Sequence, residues 1–109
     1  IDIALDTFSY NGGITTLEAA YMGVPTITMI NDFFMLRCGE SINKNLGMDN
    51  WIALNEDDYI SKALQFSENK KFLINLKKEL RTNSMKSSLF NIESFTNNFY
   101  EMLLNINKN

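Results

Sequence analysis

Between residues 1 and 30 the chain changes period, stops, and changes back. "IDIALD" alternates Ile1, Ile3 and Leu5 with Asp2, Ala4 and Asp6, the period of two that suits a strand. "TFSYNGG" follows with the turn formers Ser9, Asn11, Gly12 and Gly13. From Thr15 the period lengthens, and Leu17, Ala20 and Tyr21 fall at i, i+3 and i+4 on one helix face. Gly23 supplies a left-handed stop, and Pro25, the single proline, forbids continuation. "TITMI", residues 26–30, is a β-branched run of the buried-strand type. A strand, a helix and a second strand in so short a span restrict the topology to parallel strands joined by a crossover helix.

The remainder extends that pattern. Asn31 and Asp32 offer a cap for a helix carrying Phe34, Cys38, Ile42 and Leu46 every four residues until Gly47. "WIAL", 51–54, reads as a third strand. Asn55 caps a helix with Tyr59, Ile60, Ala63 and Leu64 on one face, and Phe72, Leu73, Leu76 and Leu80 mark another. "TNSMKSS" reads as a loop. Asn91 then caps a final helix with Ile92, Phe95, Phe99, Leu103 and Ile106 on one side. The expected fold is α/β: a partial, Rossmann-like parallel sheet flanked by helices and followed by three more. A strand at residue 1 without an initiator Met implies that residues 1–109 are a piece of a longer domain, with further strands upstream. An unpaired sheet edge or an uncovered apolar helix face would then favour a homodimer of the piece.

Composition removes several classes of function. A net charge of −3, with Lys70, Lys71, Lys77, Lys78, Arg81 and Lys86 scattered as solvated faces, argues against a nucleic-acid partner. The chain has no histidine, which excludes Ser-His and Cys-His pairs and His-ligated metals within it. Its lone Cys38 cannot form an internal disulfide, as befits a reducing compartment. No apolar run is long enough to span a bilayer and no signal peptide is visible, so the expected localisation is cytoplasmic, without a membrane.

The stretch "NGGITTLE" carries the candidate chemistry. A helix mouth presents orphan N–H groups and about half a positive charge, and here it lies at the carboxyl end of a strand. Gly12 and Gly13 allow close backbone approach, and Thr15 and Thr16 add hydroxyls. Such a mouth suits a phosphate or diphosphate. The competing reading is a capping box, with Thr15 and Glu18 satisfying each other's N–H groups. Neither a dinucleotide fingerprint nor a Walker loop is present. Asp6 reads as a loop-fixing carboxylate rather than a base, and Arg37 as structural or paired with a nearby acid. Tyr21, Met22, Met29 and Trp51 read as core, and Cys38 as inert on an apolar face.

The run "LDTFSYNGGITTLEAAYMGVPTITM" resembles the C-terminal catalytic lobe of the O-linked N-acetylglucosamine transferase family, including SPINDLY-type enzymes. That family reads close to L-D-T-F-P-Y-N-G-G-T-T-T-x-E-A-L-W-M-G-V-P-V-V-T. The likeness continues through "RCGESINKNLGMDNWIA", "EDDYISKALQFSENKKFLINLKKELR" and "SSLFNIESFTNNFYEML", covering nearly the whole chain. It implies a GT-B architecture and an inverting, metal-independent glycosyltransferase. Its donor would be a nucleoside-diphosphate sugar, UDP-GlcNAc or a related UDP or GDP sugar, and its acceptor a protein Ser or Thr hydroxyl reached through the upstream region. The resemblance places Gly13, Ile14 and Thr15 against the diphosphate and Glu18 on the ribose hydroxyls. Ile14 stands where relatives usually carry Thr, Gly13 where animal members carry His, and Ser9 where Pro is common. Glu18 matches the SPINDLY-like and bacterial pattern, where animal enzymes use Asp. A noncatalytic binding lobe and another GT-B enzyme are the alternatives.

Overall fold

The computed structural model describes residues 1–108, and its centre is β2 (Thr26–Met29). This strand pairs in parallel with β1 (Ala4–Leu5) on one side and β3 (Ile52–Ala53) on the other, in the order β1-β2-β3. The register places Ala4 beside Thr26 and Leu5 beside Ile27, then Thr28 beside Ile52 and Met29 beside Ala53. Between them run α1 (Ile14–Tyr21) and α2 (Cys38–Asn45), which contact each other beside Thr26. After β3 come α3 (Glu56–Glu68), α4 (Lys70–Lys86) and α5 (Ile92–Ile106). The α/β class with a three-stranded parallel sheet is as expected.

Alternation along β2 separates two environments. Ile27 joins Met48, Trp51, Ala53, Tyr59, Leu73 and Leu80 in the apolar core, where Trp51 stacks on Phe66 at 4.2 Å. Thr26 and Thr28 are buried on the other side, where the Thr28 hydroxyl bonds to Asp6 after β1. Asn43 of α2 donates to the Thr26 carbonyl at 2.9 Å.

The helix stops behave as their residues dictate. Gly23 and Gly47 have φ of +75° and +68°, the left-handed C-terminal stop. Asn55 and Asn91 accept from the N–H groups of Asp58 and Ser94, capping α3 and α5. Elsewhere the structure corrects the sequence expectation. The strands at 1–6 and 51–54 shorten to two residues each, and Leu5 is exposed while Asp6 is buried. The helix expected from Phe34 splits into a 3-10 turn, Phe34–Leu36, and α2. Asn31 does not cap it, because its Oδ1 accepts the Asp32 and Phe33 N–H groups in a local turn. Phe34 is 85% exposed and leaves the expected stripe, and Cys38 is only partly covered. On α3 the inward face is Tyr59, Ala63 and Phe66, whereas Ile60 and Leu64 are exposed. Tyr21 and Met22, read as core, are exposed, with the Arg81 guanidinium 5.6 Å from the Tyr21 ring centroid.

The stretch expected as a loop at 82–88 remains helical to Lys86. Ser84 explains it: fully buried, its hydroxyl donates to the Ala20 carbonyl at 3.2 Å, tying α4 to the end of α1. By contrast α5 buries none of its residues, and Ile92, Phe95, Phe99, Leu103 and Ile106 all remain exposed. The radius of gyration of 15.7 Å exceeds the about 13 Å of a packed chain of this length, as an unpacked α5 requires. Among the described residues no helix is long and apolar enough to cross a membrane.

Gly23 carries a second constraint, since a Cβ there would lie 2.6 Å from the Lys77 carbonyl oxygen, whereas one at Gly47 meets open space. Gly47→Ala therefore pays only the left-handed penalty of about 1–2 kcal/mol. Gly23→Ala adds displacement of α4 and should lose more than about 2 kcal/mol. Urea unfolding of the two variants checks the order.

Candidate functional site

The loop leaving β1 is fixed from within. Asp6 is buried, and its Oδ1 accepts from the N–H groups of Gly12 at 2.8 Å and Thr7 at 3.1 Å. Its Oδ2 accepts from the Thr28 hydroxyl at 2.8 Å. The Asp6 carbonyl accepts from the buried Tyr59 phenol at 2.8 Å. Burial, and then the Asp6 carboxylate, push the Tyr59 hydroxyl up to about 12, so it keeps its proton and remains a donor. Asn11 closes the other side. Its Nδ2 donates to the Thr7 carbonyl at 2.9 Å, and its Oδ1 accepts from the Gly39 N–H at the start of α2 at 3.3 Å. The loop-fixing reading of Asp6 is thus what the geometry shows.

This framework sets where α1 begins. Its N-cap is Gly13, and no side chain caps it. The Thr15–Glu18 capping box is therefore absent, because the helix starts two residues too early for it. Thr16 instead turns its hydroxyl back to the Gly12 carbonyl at 3.0 Å. The N–H groups of Gly13, Ile14, Thr15 and Thr16 find no protein acceptor among the described residues. These are the four orphan donors of a helix start.

The six sequence-predicted residues divide in their placement. Gly12 is packed, since a Cβ there would lie 2.6 Å from Thr16 Oγ1 and 2.8 Å from Thr15 Oγ1. Gly13 has open space where a side chain would project. Ile14, Thr15 and Glu18 are exposed, and Thr16 is buried. A cavity of about 200 Å³ is lined by Leu5, Asp6, Thr7, Gly12, Thr15, Thr16 and Thr26, with Ala4 and Ala19. Gly13, Ile14 and Glu18 do not line it. Thr26 Oγ1 is buried without a hydrogen-bond partner.

Thr28, Asn11, Gly39 and Tyr59 are the supports that sequence reasoning missed. Their bonds to the loop span up to 53 residues of sequence, so no local spacing announces them. A surface depression of about 680 Å³ lies along α2 and includes Asp32, Phe34, Arg37, Glu40 and Lys44. There Glu40, 3% exposed, is held by Arg37 at 2.9 Å and Lys44 at 2.7 Å, so these charges are engaged with one another. Arg37 is thus paired with a nearby acid, as its sequence reading has it. Among the described residues no three His, Cys, Asp or Glu side chains group as metal ligands.

The described residues thus form part of a parallel α/β lobe with unpartnered N–H groups at the start of the helix that follows its first strand. The profile of glycosyl transferase family 41 matches residues 1–99, and the chain belongs to that family. It is 42% identical over 98 residues to a tomato (Solanum lycopersicum) protein named probable UDP-N-acetylglucosamine–peptide N-acetylglucosaminyltransferase SPINDLY. That alignment covers 90% of this chain and 10% of the tomato protein. The Arabidopsis thaliana protein of the same name is 36% identical, again with 10% of its length covered. Among solved structures, a mutant of Thermobaculum terrenum O-GlcNAc transferase superposes with a TM-score of 0.86 at 31% identity, over 94% of this chain and 20% of that one. The chain thus spans about a tenth of the curated relatives' length.

The Glu40 cluster yields a pH prediction. Hydrogen bonds from Arg37, then Lys44, hold its carboxyl below the ordinary glutamate value of 4.5. A folded-state value below the unfolded one gives stability that is present above pH 4.5 and lost as pH falls through the depressed value. Urea unfolding across pH 2–6 should show this loss (roughly one proton taken up). Glu40→Gln should flatten that part of the profile while lowering stability at neutral pH.

Proposed function

We propose that residues 1–109 are part of the nucleotide-sugar-binding lobe of a protein glycosyltransferase. The parent protein transfers a sugar from a nucleoside-diphosphate donor, UDP-GlcNAc or a related UDP or GDP sugar, to a Ser or Thr hydroxyl of a protein acceptor. The relatives' names, which specify UDP-N-acetylglucosamine and a peptide, support the donor and acceptor classes. The observation that carries the reading is the run of four unpartnered N–H groups from Gly13 to Thr16 in a chain of this family.

In this reading the N–H groups of Gly13, Ile14 and Thr15, with the Thr15 hydroxyl, hold the diphosphate. Gly12 and Thr16 shape the loop beneath them. Glu18, exposed and free of capping, accepts from the ribose hydroxyls as a carboxylate can. As the glycosidic bond breaks, negative charge grows on the leaving diphosphate. Donors already in place favour that state over the bound ground state. Each such donor contributes about 2.7–4 kcal/mol to barrier lowering in comparable sites. The acceptor site and the groups that move protons belong to other parts of the parent protein, so the piece alone transfers no sugar.

Backbone amide NMR of the chain titrated with UDP and with GDP tests this reading. Shifts confined to Gly13–Glu18 are expected with at least one nucleotide, and silence at those residues overturns the proposal. Glu18→Ala should weaken nucleotide binding about tenfold, the loss of one charge-assisted hydrogen bond. Its unfolding free energy should stay within about 0.5 kcal/mol of wild type, because no cap is removed.

A further inference from the structure

We propose that Asp6 is the positioning residue of this site: it keeps the α1 mouth open for an external anion by acting through Gly12, without touching the ligand. The inference rests on the diphosphate reading above and deepens it.

Two helix mouths meet at the carboxyl ends of β1 and β2, and the protein treats them differently. That of α2 is partly filled from within: the Arg37 and Gly39 N–H groups have protein acceptors, while those of Cys38 and Glu40 have none among the described residues. Asn11 Oδ1 takes the Gly39 N–H, and Asp6 Oδ2 fills the space beside Gly39, where a Cβ would lie 2.4 Å from it. A buried carboxylate at a helix start is favoured by the dipole, and Asp6 also has three hydrogen-bond donors. Its charge is therefore compensated internally. The α1 mouth has no such occupant.

Asp6 draws the line between them. Oδ1 takes the Gly12 N–H into the protein, and the next four N–H groups remain unpartnered. Oδ2, bonded to Thr28 on the central strand, stops the carboxylate from following the loop outward. Thr28 is fully buried on the central strand, so this anchor lies inside the sheet. Release of the Asp6 bond frees Gly12 and lets the loop choose another path into α1. The function needed from residue 6 is hydrogen bonding rather than charge. An asparagine can still accept from Gly12 and Thr7, and its amide can donate to a reversed Thr28 hydroxyl.

The test uses the full 109-residue chain with UDP and with inorganic pyrophosphate as probes. Asp6→Ala should weaken both about tenfold, Asp6→Asn should stay within about threefold of wild type, and Thr28→Val should fall between them. Amide exchange supplies the readout that general destabilisation does not mimic. In Asp6→Ala, protection of the Gly12 amide should be lost while the Ile27 and Leu73 amides keep theirs. Wild-type affinity in Asp6→Ala, or an Asp6→Asn variant as weak as Asp6→Ala, overturns the proposal. Tighter binding in both variants also overturns it, because Asp6 would then be a mere repulsive charge. If the wild-type chain binds neither probe, the diphosphate reading fails by itself. The Gly12 amide still decides the positioning role: lost protection with an intact core supports it, and unchanged protection sinks it. Should Asp6→Ala fail to fold, Thr28→Val carries the same comparison.

Discussion

Asp6 has two carboxylate oxygens, and the fold directs them to different elements. One holds the loop through Gly12 and Thr7; the other holds the central strand through Thr28. Its own carbonyl is held from α3 by Tyr59. Strand, loop, sheet and helix are therefore fixed relative to one another at a single residue. Such a buried network stabilises only when every member is satisfied. Here the carboxylate is matched by three donors and by the start of α2. The loop can consequently be rigid without drawing on the donors at the start of α1.

The division of stability across the chain follows from the same centre. The apolar core gathers around Ile27, Trp51 and Tyr59 on one face of β2, and the polar cluster occupies the other. Ser84 extends this body by fastening α4 to α1. Packing continues through the 3-10 turn Ser88–Phe90, whose Phe90 ring lies 5.8 Å from that of Tyr21, and ends there; α5 keeps a continuous apolar side without a covering element among the described residues. Burial rather than propensity supplies most helical stability in proteins. The Asn91 cap and internal contacts, such as the Phe95–Phe99 stack at 6.0 Å, are what α5 has in its place.

Legibility in the sequence tracked the range of the interaction. Gly23, Gly47, Asn55 and Asn91 act within a few residues of themselves, and their stops and caps were readable from spacing. The central strand was readable because "TITMI" must be buried on both faces. The start of α1 was open to two readings because Thr15 and Glu18 have capping-box spacing; the structure starts the helix at Ile14, with Gly13 as N-cap and Asp6 holding Gly12. The helical end of α4 was misread because Asn83, Ser84 and Ser87 favour turns locally, whereas Ser84 finds its partner 64 residues away. The faces of α3 and α5 show a further limit. An apolar stripe identifies a helix, but it does not say which of its residues the rest of the fold will reach. For the candidate site, the loop residues were visible as a motif and Asp6 as the carboxylate that fixes them, whereas the distant partners Thr28, Gly39 and Tyr59 were not.

On the proposed diphosphate reading, the use of backbone donors accounts for isoleucine at residue 14. A hydroxyl at residue 14 would be one contact among several, and isoleucine removes it. The N–H of that residue belongs to the backbone and is unaffected by the replacement. At a helix start three or four such groups converge with little freedom to relax, because the helix that follows fixes their spacing. Charge developing on a leaving diphosphate would meet donors that need no reorganisation, the property that makes preorganised dipoles effective. What must be conserved physically is then the path of the chain from Asp6 to Thr16, more than the identity of each side chain along it. Ile14 is exposed and Gly13 has open space around it, so neither residue restricts that path. Gly12 does, because the hydroxyls of Thr15 and Thr16 occupy the space a side chain would need. Tolerance at residue 14 and intolerance at residue 12 would both follow from the proposed arrangement, in which the backbone supplies the donors and the residues beneath set the shape.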